Sequence, residues 1–220
     1  QASYDETNGF SNIRNPGNAS YNPDRDGFRN TAVTGSLVYR IDADHEIGTN
    51  IFASDGVNHY DGGFMASAIS DYRTDGKVER YDVFTRNRLA PAWQSTLRVG
   101  RGIDDAAYYQ DRTQISRVRT EQDQVTWQND LSLPLGKALI SAEWLRQGIE
   151  TSQDYADDSR TIASWLAGWS ANLGAHRWQI NLRHDDISGA DAKTTGLISY
   201  GYQFSPAWRV SAAPGKADKN

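Results

Sequence analysis

The side chains with chemical capacity in this chain are mainly carboxylates, set in short clusters among glycines. They occur as D-R-D-G at 24–27, H-Y-D at 59–61 and R-T-D-G at 73–76, and as the pairs Asp104 and Asp105, Asp157 and Asp158, and Asp185 and Asp186. Two carboxylates one residue apart on a turn can face one cation, and calcium takes six to eight oxygen ligands. The same Asp and Gly combinations also make ordinary turns. Paired acids are the equipment of glycoside hydrolysis, but these pairs lie where alternating runs meet polar stretches, and solvated loop tips account for them. Nucleophilic catalysis needs a base beside the nucleophile. The histidines, His45, His59, His176 and His184, are scattered, and G-W-S-A-N from Gly168 lacks the closing glycine of a nucleophile elbow and lies inside an alternating run. His184, Asp185, Asp186 and Ser188 are close in sequence, yet neighbours at a strand end alternate faces. No catalytic residue is assigned. With no cysteine, disulfides and thiolate metal sites are excluded.

The elements that would position these groups are strands. From His176 the chain reads H-R-W-Q-I-N-L-R-H-D, with Trp178, Ile180 and Leu182 on one face and Gln179, Asn181, Arg183 and Asp185 on the other. A period of two marks a strand. The same alternation sets Ile198, Tyr200, Tyr202 and Phe204 against Ser199, Gly201 and Gln203, and Val125, Trp127, Leu131 and Leu133 against Thr126, Gln128, Asp130 and Ser132. About ten such runs are expected, near 29–41, 45–54, 77–89, 92–103, 120–133, 138–149, 161–173, 176–186, 194–204 and 207–213. They imply an all-β, antiparallel up-and-down meander forming a β-barrel or a portion of one. A loop segment at 1–28 precedes the strands of 29–213, and a tail at 214–220 follows.

Connections fall into two classes. Short ones (D-A-D-H, A-P-A, P-L-G-K, L-G-A-H and S-P-A) alternate with long polar ones at 55–76, 104–119, 150–160 and 188–193. In consecutive antiparallel strands this puts short turns at one end and long loops at the other, as in outer-membrane barrels. Trp93, Trp178 and Trp208 follow closely on short turns, where amphipathic rings suit a membrane interface. Apolar residues make up 38% of the 220 residues while aromatics reach 11%, with seven Trp and eleven Tyr. That balance fits a sheet with one wet face. No apolar stretch is long enough for a membrane helix. A net charge of −5 without a basic stripe excludes a nucleic-acid partner. A soluble sandwich or barrel with apolar faces turned inward shares the alternation, but gains nothing from segregating its long loops.

Three segments carry a family resemblance: N-P-D-R-D-G-F-R-N-T-A-V-T-G-S-L-V-Y-R-I at 22–41, N-H-Y-D-G-G at 58–63 and R-T-D-G-K-V-E-R-Y-D at 73–82. Together they resemble the barrel of TonB-dependent outer-membrane receptors, most closely those that transport cobalamin, and the similarity runs diffusely over almost the whole chain. The resemblance implies calcium-binding extracellular loops, with Asp24, Asp26, Tyr60, Asp61 and Asp75 at the ligand positions. Such receptors resemble a barrel of about 22 strands preceded by a plug domain and a TonB box, and neither of these is seen here. The expectation is therefore an internal barrel piece from a bacterial outer membrane, not competent for transport alone. Its apolar faces would meet outer-membrane lipid, its long loops would meet a small-molecule ligand, and its two cut strand edges would invite self-association. The alternative is a stand-alone soluble β-barrel acting as a small-molecule-binding module or a hydrolase.

Overall fold

The computed structural model describes residues 1–18, 20–62 and 70–216, and every helix or strand among them is a strand. In chain order these are β1 (Ala2–Thr7), β2 (Phe28–Arg40), β3 (His45–Tyr60), β4 (Tyr72–Ala90), β5 (Trp93–Gln110) and β6 (Thr113–Leu133). There follow β7 (Gly136–Thr151), β8 (Ser159–Leu173), β9 (His176–Ile187), β10 (Lys193–Ser205), β11 (Trp208–Ala212) and β12 (Gly215–Lys216). All lie in one sheet in sequence order from β1 to β11, each antiparallel to the next, with β12 also pairing with β10. The sheet is an open meander: β1 and β11 are its edges and do not pair with each other.

The tight connections are built by local chemistry. Between β2 and β3, Asp42 Oδ1 accepts hydrogen bonds from the backbone N–H groups of Asp44 and His45, both at 2.8 Å. This is the Asx turn that suits Asp at a hairpin. Gly136 opens β7 at φ 106°, a conformation that side chains avoid.

Several strands outrun their sequence signal. The expected long loops at 55–76 and 104–119 are largely strand, because β3 runs to Tyr60, β4 begins at Tyr72, and β5 and β6 meet across a tight turn at 111–112. Residues 61–71 remain between β3 and β4, and 63–69 of these lie outside the described residues. The reason is physical: alternation betrays a strand only where its two faces meet different surroundings. These extensions keep no apolar face in alternation, as in D-D-A-A-Y-Y-Q at 104–110 and T-Q-I-S-R-V-R at 113–119, and are held by the backbone ladder with cross-strand ion pairs. Examples are Lys77 with Asp55 at 3.3 Å and Arg117 with Asp105 at 2.5 Å. The expected loop at 1–28 likewise contains β1, and the expected tail contains β12.

Register partners share a face, so the pairing defines two surfaces. Val83, Val99, Val125 and Trp144 are successive partners on one of them, as are Trp169, Ile180 and Ile198. The other surface carries the row Gly48, Phe84, Arg98, Thr126, Glu143, Ser164 and Asp185. The apolar surface is open: Val83 is 50% exposed, Leu182 54% and Trp165 61%, and the buried hydrophobic residues are only Phe84 and Ala171 among those described. A soluble sheet with that much uncovered apolar area would associate, whereas hydrocarbon would cover it. From Leu133 to Val125 the apolar run of β6 takes about nine residues, roughly 30 Å along the strand. At the usual tilt of about 40° it rises about 23 Å, close to the roughly 25 Å apolar band of membrane barrels.

Both ends of that band carry polar markers. At the turn end the indoles have partners: Trp93 Nε1 donates to Asn129 Oδ1 at 2.9 Å and Trp169 Nε1 to the Leu135 carbonyl at 3.0 Å, while within the band Trp127 Nε1 donates to Ser95 Oγ at 3.0 Å. At the loop end the same face turns charged. Arg101 pairs with Glu121 and, at 3.7 Å, with Asp123, and Arg119 pairs with Glu121 at 2.5 Å.

Candidate metal centre

Asp24 and Asp26 stand on the segment leading into β2, and Asp61 follows the last residue of β3. The antiparallel pairing of β2 with β3 brings these points together, since Phe28 lies opposite Asn58. One carboxylate oxygen from each of the three aspartates lies within 4.8 Å of the others. Asp61 is only 9% exposed. Its Oδ2 accepts hydrogen bonds from the Ile13 N–H at 2.7 Å and the Ser11 hydroxyl at 3.0 Å, while its Oδ1 is buried with no hydrogen-bond partner. Asp26 Oδ2 accepts from the Asn12 N–H at 2.5 Å, and Asn22 Nδ2 donates to Asp24 Oδ2 at 2.6 Å. Residues 11–13 thus wrap around two of the three carboxylates.

Loss of solvent, reinforced by the neighbouring Asp61, pushes the Asp24 carboxyl above the ordinary carboxylate range. The Asp26 carboxyl is raised in the same way, first by loss of solvent and then by Asp61 and Asp24, against the hydrogen bond from Asn12. A buried acceptor left unpaired is costly, and converging carboxylates repel one another. A hard cation with a preference for oxygen answers both demands. The donor set therefore fits calcium.

The other two positions from the resemblance are placed differently. Tyr60 ends β3 with its ring 6.0 Å from that of Tyr72, next in sequence to Asp61. Asp75 does not join the group. It sits within β4, opposite Val57 and Ala107, and receives Arg73 Nε at 3.1 Å. Position-by-position transfer put it on a returning loop, but β4 has already begun at Tyr72. The wrapping segment at Ser11, Asn12 and Ile13 was not legible in sequence, since polar residues in a loop carry no period. Nearby, His59 Nδ1 and Asp71 Oδ1 lie 3.0 Å apart. Asp71 is clasped to the β5–β6 turn by two hydrogen bonds: its N–H donates to Asp111 Oδ1 at 3.0 Å, and its carbonyl accepts from the Asp111 N–H at 2.6 Å.

No protein-family profile matches the chain. Among curated proteins it is 22% identical over 213 residues to the vitamin B12 transporter BtuB of Photobacterium profundum, covering 96% of this chain and 34% of that protein. An antiparallel up-and-down meander with one apolar and one polar face is the strand arrangement that membrane barrels use, and the match spans nearly the whole of this chain and about a third of the relative's length. Among solved structures, the translocator domain of the autotransporter NalP from Neisseria meningitidis aligns with 86% of this chain and 75% of its own. The TM-score is 0.41 at 9% identity, too loose a likeness to bear on function.

Proposed function

We propose that the chain is the strand-bearing portion of an outer-membrane transporter of the vitamin B12 type. In this reading the apolar face meets lipid, the polar face lines a lumen, and the acidic loops at the far end engage a small-molecule ligand of the cobalamin or siderophore class. The observation that carries it is the division of the sheet into one open apolar face and one polar face, bounded by paired indoles below and ion pairs above. Energy coupling of the TonB kind belongs to the same proposal. An open sheet encloses no lumen, so uptake would be a property of a larger barrel.

The proposed cofactor is calcium, held by Asp24, Asp26 and Asp61 with Tyr60 beside them. It would neutralise the three carboxylates and tie residues 11–26 to the end of β3. Refolding from urea into phosphatidylcholine vesicles brominated along the acyl chains tests the membrane assignment. Trp127, Trp144 and Trp165, each 41–61% exposed on the apolar face, are expected to be quenched. A folded, unquenched monomer in plain buffer would sink it in favour of a soluble barrel.

A further inference from the structure

Strand register sets a row of polar side chains directly beyond an apolar row, where the apolar face turns charged. Val83, Val99, Val125 and Trp144 are successive partners. Two residues further toward the loop end, about 7 Å along the strands, stand Tyr81, Arg101, Asp123, Arg146 and Thr161. The three valines are short beside Tyr81 and Trp144, and these side chains line a depression of about 470 Å³ bordered by Arg101 and Asp123. Val83 and Trp144 are both exposed, so the depression opens away from the sheet.

The charges around it are unequally satisfied. Arg101 pairs with Glu121 and with Asp123, Arg119 pairs with Glu121, and the Tyr81 hydroxyl donates to Glu79. Arg146 is exposed and has no ion-pair partner among the described residues, although Asp123 is its register partner on β6. Its register partner on β8, Thr161, brings a hydroxyl to the same row. A guanidinium at the edge of hydrocarbon is costly unless it meets an anion, and a phosphate fits its fork with two hydrogen bonds. At the turn end, the apolar face of β5 to β9 carries neither lysine nor arginine, so the cationic anchors lie on the loop side. Two guanidiniums against one carboxylate leave the row net positive, which suits a phosphate monoester and not a headgroup that covers its phosphate with a cation. We infer that the row and the valine depression form a docking site for one acidic lipid, its phosphate on Arg146 beside Thr161 and the upper methylenes of an acyl chain on Val83, Val99 and Val125 against Trp144. Arg101, two strands and about 10 Å from Arg146, adds attraction, while Asp123 between them opposes it. This rests on the membrane-barrel reading.

The test uses the full chain refolded in phosphatidylcholine vesicles that contain a minor fraction of phosphatidic acid, with bromine on the acyl chains of one lipid at a time. Brominated phosphatidic acid is expected to quench tryptophan fluorescence more than its mole fraction predicts, and Trp144→Phe should remove that excess. Arg146→Gln should lower the apparent affinity for phosphatidic acid about fivefold, and Asp123→Asn should raise it by removing a like charge. Arg160→Gln makes the same change of net charge on the polar face, where Arg160 donates to Gln147 at 2.6 Å, and should leave the preference as it is. Quenching in simple proportion to mole fraction, an excess that survives Arg146→Gln, a weaker preference in Asp123→Asn, or an equal loss in Arg160→Gln would each overturn the proposal while quenching by brominated phosphatidylcholine persisted. No quenching by either lipid would overturn the membrane reading instead.

Discussion

At Asp61 one carboxylate oxygen takes two hydrogen bonds and the other takes none. The same carboxylate converges with those of Asp24 and Asp26, so the local chemistry asks for positive charge. Asp61→Asn keeps the shape and removes one of the three carboxylate charges, and calcium affinity measured by titration calorimetry should fall by about tenfold or more, a loss of roughly 1.4 kcal/mol. The pH dependence follows from the raised Asp24 and Asp26 carboxyls. A raised acid pKa means that the folded chain holds its protons more tightly than the unfolded one. Without a cation, the cluster therefore destabilises the fold at neutral pH, and that cost is relieved as pH falls through the raised values. Calcium should accordingly raise the melting temperature more at about pH 7 than at about pH 4, since the raised Asp24 and Asp26 carboxyls take up protons in competition with the cation as pH falls. An equal shift at both values would remove the cation from this site. Asp105 has the opposite sign. The Arg117 guanidinium bonded to it holds its carboxyl below the ordinary range, so its contribution is present above the ordinary carboxylate pKa and fades only as pH falls through the depressed value.

Among the strands, one close constraint is the contact of β3 with β4 at Gly48. Phe84 is buried at 6% exposure, and a Cβ added at Gly48 would lie 2.5 Å from its ring. Two guanidiniums flank that ring, Arg98 at 5.0 Å and Arg86 at 5.6 Å from its centroid. They are neutralised in turn by Asp82, 2.6 Å from Arg98, and by Glu46 beside Arg86. Glycine here is demanded by close approach. Gly48→Ala should cost about 1–3 kcal/mol by overpacking, read from urea unfolding in detergent, and Gly48→Ala with Phe84→Leu should recover part of it. At the β5–β6 turn, Asp111 adopts φ 56° and clasps Asp71. Asp111→Ala loses the acceptor and strains the left-handed backbone. Faster amide exchange should follow at the start of β4, while Asp111→Asn, which tolerates that conformation, should stay near the parent.

For the whole molecule the two faces make opposite demands on the same substitution. Val99→Arg places a charge in the middle of the apolar band and should weaken insertion into vesicles by about 2–4 kcal/mol. Thr126→Arg, on the polar face between Arg98 and Glu143, should change insertion far less. Equal effects of the two would mean that the two faces do not divide between lipid and water. Each strand is also committed to its register, since a slip by one residue exchanges the faces along its length.

How much of this was legible in sequence follows from what each surface meets. Across the apolar band the surroundings differ from face to face, so β7 to β10 were read in place from alternation, as were the turn-end halves of β3 to β6. Beyond the band both faces are wet, alternation vanishes, and the upper halves of β3 to β6 read as loops although the backbone ladder continues through them. The sequence by itself determined an all-β meander with one apolar face, because a period of two is a property of local order. Only the tertiary structure decided which carboxylates converge. Asp24 and Asp26 meet Asp61 through the β2–β3 register and a wrapping N-terminal segment, whereas Asp75 is carried away in β4.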